Sequence, residues 1–250
     1  MTAMTPRVTA IVTCMTDAER PYVREALDSV ERQTELCRII LMVETNNRWI
    51  DGILREDEPV TLVRTDFQPA GHVRNVAIRT ADTEFVAFLD GDDFWDPRKI
   101  ECQLAVIDRE GVDLVGTDHV MVREDGVRFA FGRARHIPML STWLVRRSTM
   151  LDMPFGGSRG NEDGIWWANC TPRLAVRRLP RFLCSYRVRA VSVSSTFPSK
   201  RRKELLCRAG SNPILRPVLL SASFLINAVQ RRPYYVRHPD WSRPGLGAGA

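Results

Sequence analysis

The chain has 250 residues, 44% of them hydrophobic and 26% charged, and its formal net charge at pH 7 is +6. These values are typical of a globular protein, one large domain or a domain with appendages, and the positive charge suits anionic ligands such as nucleotides, nucleic acid or membrane surfaces. No segment has the ~18 consecutive apolar residues of a membrane span, and no signal-peptide core precedes Val8. Six cysteines without a C-x-x-C pair favour buried thiols, so we expect a cytoplasmic protein, and four scattered histidines argue against a zinc site.

Strands and helices alternate through the first half of the chain. Short uncharged apolar runs predict four buried strands, which are Val8–Cys14, Ile39–Val43, Val60–Val63 and a run that ends at Asp90. Apolar residues at helical spacing predict three helices, over Tyr22–Val30, from Gly71 to Arg79 and around Ile100–Ile107. This alternation predicts βαβ units and therefore an α/β fold with a mostly parallel sheet.

The second half of the chain has shorter predicted elements. They are a hairpin around Asp125-Gly126, a short strand at Trp143–Val145, a glycine-rich loop over residues 156–160, a helix that opens at Asn161 and contains Trp166 and Trp167, and a strand over Phe182–Val188. The two tryptophans either pack in the core, their commoner use, or stack on a sugar ring.

The C-terminal part of the chain is basic and then apolar. Lys200–Arg208 predicts a basic helix, and residues 213–230 carry a near-helical apolar stripe interrupted by Arg216, Pro217 and Asn227. This stripe is too short and interrupted to span a bilayer. It either lies in a membrane interface with its basic side toward anionic lipid, or packs on the protein itself or in a dimer. The residues after Trp241 are predicted to be disordered.

The most informative stretch is the junction between a buried strand and a cluster of carboxylates. The strand Phe85–Leu89 is followed directly by Asp90-Gly91-Asp92-Asp93, and Asp96-Pro97 then predicts a helix start. In open α/β sheets, ligands bind at the carboxyl ends of the strands. Clustered carboxylates are tolerable when solvated or when a hard divalent cation neutralises them, and such cations also bind phosphate oxygens. The alternative interpretation is a solvated turn with a helix cap.

Taken in order, these segments resemble the family 2 glycosyltransferases of the GT-A fold, over roughly Val8 to Ser195. The ordered series that carries the resemblance is the helix Tyr22–Val30, Arg74–Ile78, the block Phe88–Trp95, Arg146-Arg147, Asn161-Glu162-Asp163, and Tyr186-Arg187 through Ser194. The resemblance implies a GT-A domain over residues 1–195, with a Rossmann-like, mostly parallel sheet flanked by helices. A helical extension over residues 196–240 and a tail over 241–250 follow it.

The resemblance also implies a donor site for a nucleotide diphosphate sugar. Asp90 and Asp92, with Gly91 between them, would hold Mn²⁺ or Mg²⁺ against the diphosphate. Asp93 either supports this site or contacts the sugar, or it is only a negative charge near a helix start.

Four further residues are implied in nucleotide-sugar binding. They are Thr13, Glu44, Arg74 and Arg189. Thr13 would flank the base through backbone groups, and Glu44 stands where the family usually has an aspartate that contacts the base. Arg74 would approach the diphosphate, the alternative being a surface arginine. Arg189 stands where a histidine is common in the family. It cannot ligate a metal but can pair with phosphate.

The resemblance implies that Asp163 is the general base of an inverting transfer, with Glu162 as the fallback. A carboxylate must take the proton of the attacking acceptor hydroxyl. The alternative is an acid-rich helix start. The acceptor is a glycan, a lipid-linked molecule or a protein, bound by the region Thr117–Gly160, and a lipid-linked acceptor would place the enzyme peripherally at the inner membrane face. Two other hypotheses are a glycosyltransferase that acts on modified nucleic acid, and a basic nucleic-acid-binding protein whose carboxylates are structural.

Overall fold

The computed structural model describes residues 5–66, 68–132, 134, 137–158, 161–189, 214, 217–218, 221 and 235–237. The predicted basic helix over Lys200–Arg208, nearly all of the apolar stripe and the tail after Trp241 lie outside the described residues. Among the residues that are described, none of the helices combines the length and apolar character needed to cross a bilayer.

The described chain forms ten strands and five α-helices. The strands are β1 (Val8–Cys14), β2 (Cys37–Glu44), β3 (Val60–Thr65), β4 (Phe85–Asp90), β5 (Phe94–Trp95), β6 (Leu114–Val122), β7 (Arg128–Gly132), β8 (Leu144–Arg146), β9 (Val176–Arg187) and β10 (Tyr235–Arg237). The helices are α1 (Val23–Glu31), α2 (Ala70–Thr80), α3 (Lys99–Glu110), α4 (Arg147–Asp152) and α5 (Glu162–Cys170). The predicted α/β fold is confirmed.

One mixed sheet organises these elements. Its strand order is β10-β7-β6-β8-β4-β1-β2-β3, and β9 lies beside β6 while β5 pairs with β9. The first four strands pair in parallel, as predicted. The later strands pair antiparallel except for β6 with β9. Because β1 and β4 are parallel neighbours, with Thr13 opposite Asp90, their carboxyl ends lie side by side.

The two faces of the sheet are covered by different helices. Alternate residues of β1 point to opposite faces. Val12 therefore belongs to one core cluster, with Leu27 of α1 and Ile100 of α3, and Ile11 belongs to the other, with Val73 of α2 and Trp166 of α5. The predicted helices α1, α2 and α3 thus owe their amphipathic patterns to the two layers that they form on the sheet. The carboxyl edge of the sheet is left between these layers.

Several element boundaries differ from those predicted, and for two of them the physical reason is clear. The helix α3 begins at Lys99 rather than at Pro97, because Asp96 first closes a turn, accepting from the N–H of Arg98 on its carboxylate and from that of Lys99 on its carbonyl. The strand β9 begins at Val176, six residues before the predicted start. Pairing with β6 extends it through Pro180, which is tolerated because the register of the two strands shifts at this point.

Candidate functional site

The candidate site lies at the adjacent carboxyl ends of β1 and β4. The N–H of Gly91 donates to the carbonyl oxygen of Thr13 at 2.8 Å. A Cβ at position 91 would lie 2.9 Å from that oxygen and 3.2 Å from the Cβ of Cys14. Only glycine therefore fits without displacing the backbone, so the sequence Asp90-Gly91-Asp92 is held tightly against the end of β1.

Arg74 links the first carboxylate of this motif to the helix that carries the predicted base. Its Nη2 donates to Asp90 Oδ1 at 2.7 Å and its Nη1 donates to Glu162 Oε1 at 2.5 Å. Its side chain is only 6% exposed, so Arg74 is not a surface arginine. Asp90 Oδ1 also accepts from the Thr13 hydroxyl at 3.0 Å, whereas 42% of the Asp90 side chain is exposed to solvent. The structure thus brings Thr13, Asp90, Arg74 and Glu162 into one network.

The second carboxylate of the motif is paired with the arginine that follows β9. Asp92 Oδ2 lies 2.7 Å from Arg189 Nε, and Arg189 Nη2 lies 3.6 Å from Glu19 Oε1. Burial raises the pKa of Asp92 to about 6, the neighbouring Asp90 carboxylate raises it further and the Arg189 charge opposes this. The predicted residues Asp92 and Arg189 are therefore in direct contact. Nothing in the sequence indicated that Glu19 would lie beside them.

Asp93 faces the protein interior rather than a ligand. It is 1% exposed, and its two carboxylate oxygens accept from the hydroxyl of Ser141 at 2.7 Å and from the backbone N–H of Arg187 at 2.9 Å. Burial raises its pKa well above the ordinary value, and the charges of Asp92 and Asp90 add to this. Of the alternatives for Asp93, sugar contact does not fit a carboxylate whose partners are both within the protein.

Arg187 is a residue of the site that sequence reasoning missed. Its Nε donates to the carbonyl oxygen of Asp92 at 3.0 Å, and its Nη1 donates to the carbonyls of Arg123 and Glu124 in the β6–β7 turn. Its Nη2 pairs with Glu25 of α1, and the residue is 4% exposed. A buried arginine in a strand is unusual and signals a specific role. Here it fixes the main chain of the carboxylate motif.

Glu162 and Asp163 occupy different positions at the start of α5. Glu162 is committed to Arg74 by the ion pair described above, and its side chain is 10% exposed. Asp163 makes no ion pair among the described residues, and its carboxylate accepts from the N–H of Gly164. Burial raises the pKa of Asp163, and the adjacent Glu162 carboxylate raises it further. The turn before them is tight, since Asn161 has a φ of 58°.

Glu44 lies apart from this network. It ends β2, the strand on the far side of β1, and its carboxylate accepts from the backbone N–H of Asn46 at 2.8 Å and from the side-chain amide of Asn46 at 3.0 Å. Its position is at the same carboxyl edge of the sheet. Its role toward a base stays a prediction.

The tryptophan pair belongs to the core. Trp166 and Trp167 are 2% and 7% exposed, each packs against Trp143 with ring centres 5.4 Å apart, and Trp166 donates to the carbonyl of Met153. The structure therefore shows the core-packing alternative and not the sugar-stacking one.

The carboxylates can furnish part of a metal site but not all of it. Within the described residues, no group of three or more His, Cys, Asp or Glu side chains is arranged to hold a metal ion. Asp90 and Asp92 each use a single carboxylate oxygen in the contacts given above. Mg²⁺-type sites at phosphates use one or two carboxylates and complete the shell with phosphate oxygens and water. The donor set therefore fits a divalent cation that binds together with a diphosphate.

Comparison with known proteins gives consistent matches. The sequence model of "Glycosyl transferase family 2" matches residues 9–175. A protein of Methanocaldococcus jannaschii described as the uncharacterized glycosyltransferase MJ1057 is 25% identical over 129 residues, which cover 48% of this chain and 44% of that protein. The chain thus spans less than half the length of this curated relative.

Solved structures share the fold at low sequence identity. S. aureus TarS 1-349 in complex with UDP-GlcNAc has a TM-score of 0.61 and 17% identity over 78% of this chain and 63% of TarS 1-349. The same protein in complex with UDP has a TM-score of 0.61 and 19% identity over 90% of this chain and 72% of its own. The mannosyltransferase PcManGT of Pyrobaculum calidifontis, in complex with GDP-Man and Mn²⁺, has a TM-score of 0.62 and 18% identity over 89% of this chain and 70% of its own.

Proposed function

Because this chain belongs to glycosyltransferase family 2, we propose that it transfers a sugar from a nucleotide diphosphate sugar to an acceptor hydroxyl, with inversion and with the help of a divalent cation. The observation that carries the proposal is the network at the carboxyl edge of the sheet. It joins the exposed carboxylate of Asp90 through Arg74 to Glu162, beside which Asp163 stands. The network therefore fixes Asp90, on the side of the leaving diphosphate, relative to Asp163, which would take the proton.

Asp90 and Asp92 are the residues that would hold Mn²⁺ or Mg²⁺. A bound divalent cation neutralises the negative charge that develops on the diphosphate as the glycosidic bond breaks. Arg74 keeps the Asp90 carboxylate in a fixed orientation, and Arg187 keeps the main chain of Asp92 in place. Support for a cation comes from PcManGT, whose complex contains Mn²⁺ together with GDP-Man.

Asp163 is the residue that we assign as general base. The acceptor hydroxyl must lose its proton as it attacks the anomeric carbon, and a half-buried carboxylate with a raised pKa is suited to accept it. Glu162 is a weaker choice because its carboxylate is already paired with Arg74. We infer that Glu162 positions Arg74 and the start of α5 instead.

Thr13, Gly91, Glu44 and Arg189 complete the proposed donor site. Gly91 allows the main chain of the motif to lie in close contact with the end of β1, and Thr13 orients Asp90 by its hydroxyl. The structurally similar proteins bind UDP, UDP-GlcNAc or GDP-Man, so we propose a uridine or guanosine diphosphate sugar as donor. The acceptor class and the membrane contact through residues 213–230 stay predictions.

The proposal is tested by thermal stabilisation with UDP, GDP, UDP-GlcNAc and GDP-Man, each with Mn²⁺ and each with EDTA. We expect stabilisation by a nucleotide with Mn²⁺ that Asp92→Ala abolishes without unfolding the protein. The control Asp82→Ala removes an exposed carboxylate that pairs with Arg38, and it should respond like wild type. If Asp92→Ala binds nucleotide and Mn²⁺ as tightly as wild type, the site assignment is wrong. A parallel titration with DNA separates the nucleic-acid hypotheses: binding to DNA without any nucleotide effect would favour them.

A further inference from the structure

Arg189 lies between two carboxylates of the proposed donor site and is nearly buried. Its Nε is 2.7 Å from Asp92 Oδ2, and its Nη2 is 3.6 Å from Glu19 Oε1. The side chains of Arg189, Asp92 and Glu19 are 10%, 11% and 13% exposed. The guanidinium therefore supplies a positive charge at the carboxylate that the proposed function assigns to a metal ion.

The contact between Arg189 and Asp92 is close but not directed. The buried Nε of Arg189 has no aligned hydrogen-bond acceptor among the described residues, although Asp92 Oδ2 is within 2.7 Å. Arg74, by contrast, donates a directed hydrogen bond to Asp90. A pair that charge alone holds is more easily exchanged for another cation than a pair with good hydrogen-bond geometry.

Arg187, the last residue of β9, is held in a different way from Arg189, which follows this strand. Arg187 pairs with Glu25, but it also donates to the main-chain carbonyls of Asp92, Arg123 and Glu124. Its guanidinium is therefore fixed largely by main-chain groups. Among the described residues, the ion pairs of Arg189 are both to carboxylates. An incoming diphosphate offers the same kind of partner, with geometry that suits the planar guanidinium.

We propose that Arg189 is an internal counter-ion that competes with the divalent cation for Asp92. This inference rests on the proposed function. In the donor-free protein it occupies the Asp92 carboxylate and keeps the affinity for the cation alone low. When the diphosphate binds, the Arg189 guanidinium exchanges Asp92 for phosphate oxygens, and Asp92 becomes available to the cation. The cation and the nucleotide therefore bind as a pair, and free Mn²⁺ does not load the site.

Arg189→Gln separates this role from a structural one, because it changes two affinities in opposite directions. Removing the competing charge should tighten Mn²⁺ binding in the absence of nucleotide by about tenfold, a magnitude typical of the coupling between two binding events. The same change should weaken binding of UDP or GDP in EDTA by about tenfold, because the phosphate partner is lost. A misfolded variant would lose both affinities.

The Mn²⁺ affinity is measured by electron paramagnetic resonance of free Mn²⁺, and the nucleotide affinity by calorimetry. The control is Arg181→Gln. It removes an exposed arginine of β9 whose guanidinium donates to Cys102 Sγ, and it should match wild type in both assays. Arg189→Lys, which keeps the charge, should keep the Mn²⁺ affinity low. Adding Asp92→Asn to Arg189→Gln should remove the gain.

Equal Mn²⁺ affinity in wild type and Arg189→Gln, or an unchanged diphosphate affinity in EDTA, would overturn the proposal. These readouts do not depend on sugar transfer. Failure of the proposed function would appear separately, as a wild-type protein that no nucleotide or nucleotide sugar stabilises even with Mn²⁺ present.

Discussion

A buried lysine at the start of α3 allows a quantitative test of how burial affects the stability of the protein. Lys99 is fully buried, its Nζ lies 4.0 Å from the centre of the Trp95 ring, and no described residue accepts a hydrogen bond from it. It is also the first residue of α3, where the helix dipole disfavours a positive charge. Burial lowers the pKa of Lys99 from 10.5 to about 7.

The magnitude of the effect follows from these two pKa values. At roughly 1.4 kcal/mol for each unit of pKa, the difference between 10.5 and about 7 lowers the free energy of unfolding by about 5 kcal/mol at pH values below 7. Between about pH 7 and 10.5, the unfolded chain holds this proton and the folded protein does not. Since the unfolded state binds more protons there, stability rises with pH, and the cost disappears above the unfolded pKa.

The perturbation is Lys99→Met, which keeps an unbranched side chain and removes the charge. We expect the variant to be several kcal/mol more stable than wild type at about pH 6.5, with a gap that shrinks steadily toward about pH 9.5. The assay is urea denaturation at several pH values, compared at equal m-values. The control Arg98→Met removes the exposed neighbouring charge, which pairs with Glu101, and should cause a small change that does not depend on pH. A stability difference between Lys99→Met and wild type that stays constant over this pH range would show that Lys99 does not carry this burial cost.

Two further substitutions test the chemistry and the geometry of the site. Asp163→Asn should leave donor affinity near that of wild type and lower the rate of transfer by about 10²-fold or more in a single-turnover assay; normal transfer in this variant together with an inactive Glu162→Gln would move the base to Glu162. Gly91→Ala should cost about 1–3 kcal/mol of stability and weaken nucleotide binding, because the new Cβ would meet the carbonyl oxygen of Thr13 at 2.9 Å. Gly52→Ala, whose Cβ would have nothing within 4 Å, is the control, and equal losses in the two glycine variants would contradict this explanation.

The parallel strands and the position of the carboxylates at a strand end could be predicted from the sequence alone. The strands β1 to β4 and the helices between them were predictable because apolar runs and helical spacing are local signals. Asp90-Gly91-Asp92 directly follows such a run, so its place at a carboxyl strand end needed no knowledge of distant residues. The start of β9 at Val176 was missed, since Pro180 and the nearby arginines do not resemble a strand until β6 is beside them.

Which charged groups contact one another depends on the tertiary fold. Arg74 and Glu162 are 88 positions apart, and Arg187 and Asp93 are 94 positions apart, so no local spacing marks either pair. The burial of Lys99 could not be predicted from the sequence either, because a lysine in the first turn of a helix is ordinarily exposed to solvent. The free energy of a charge depends on the partners and the burial that packing provides, and these are properties of the folded arrangement rather than of neighbouring positions in the chain.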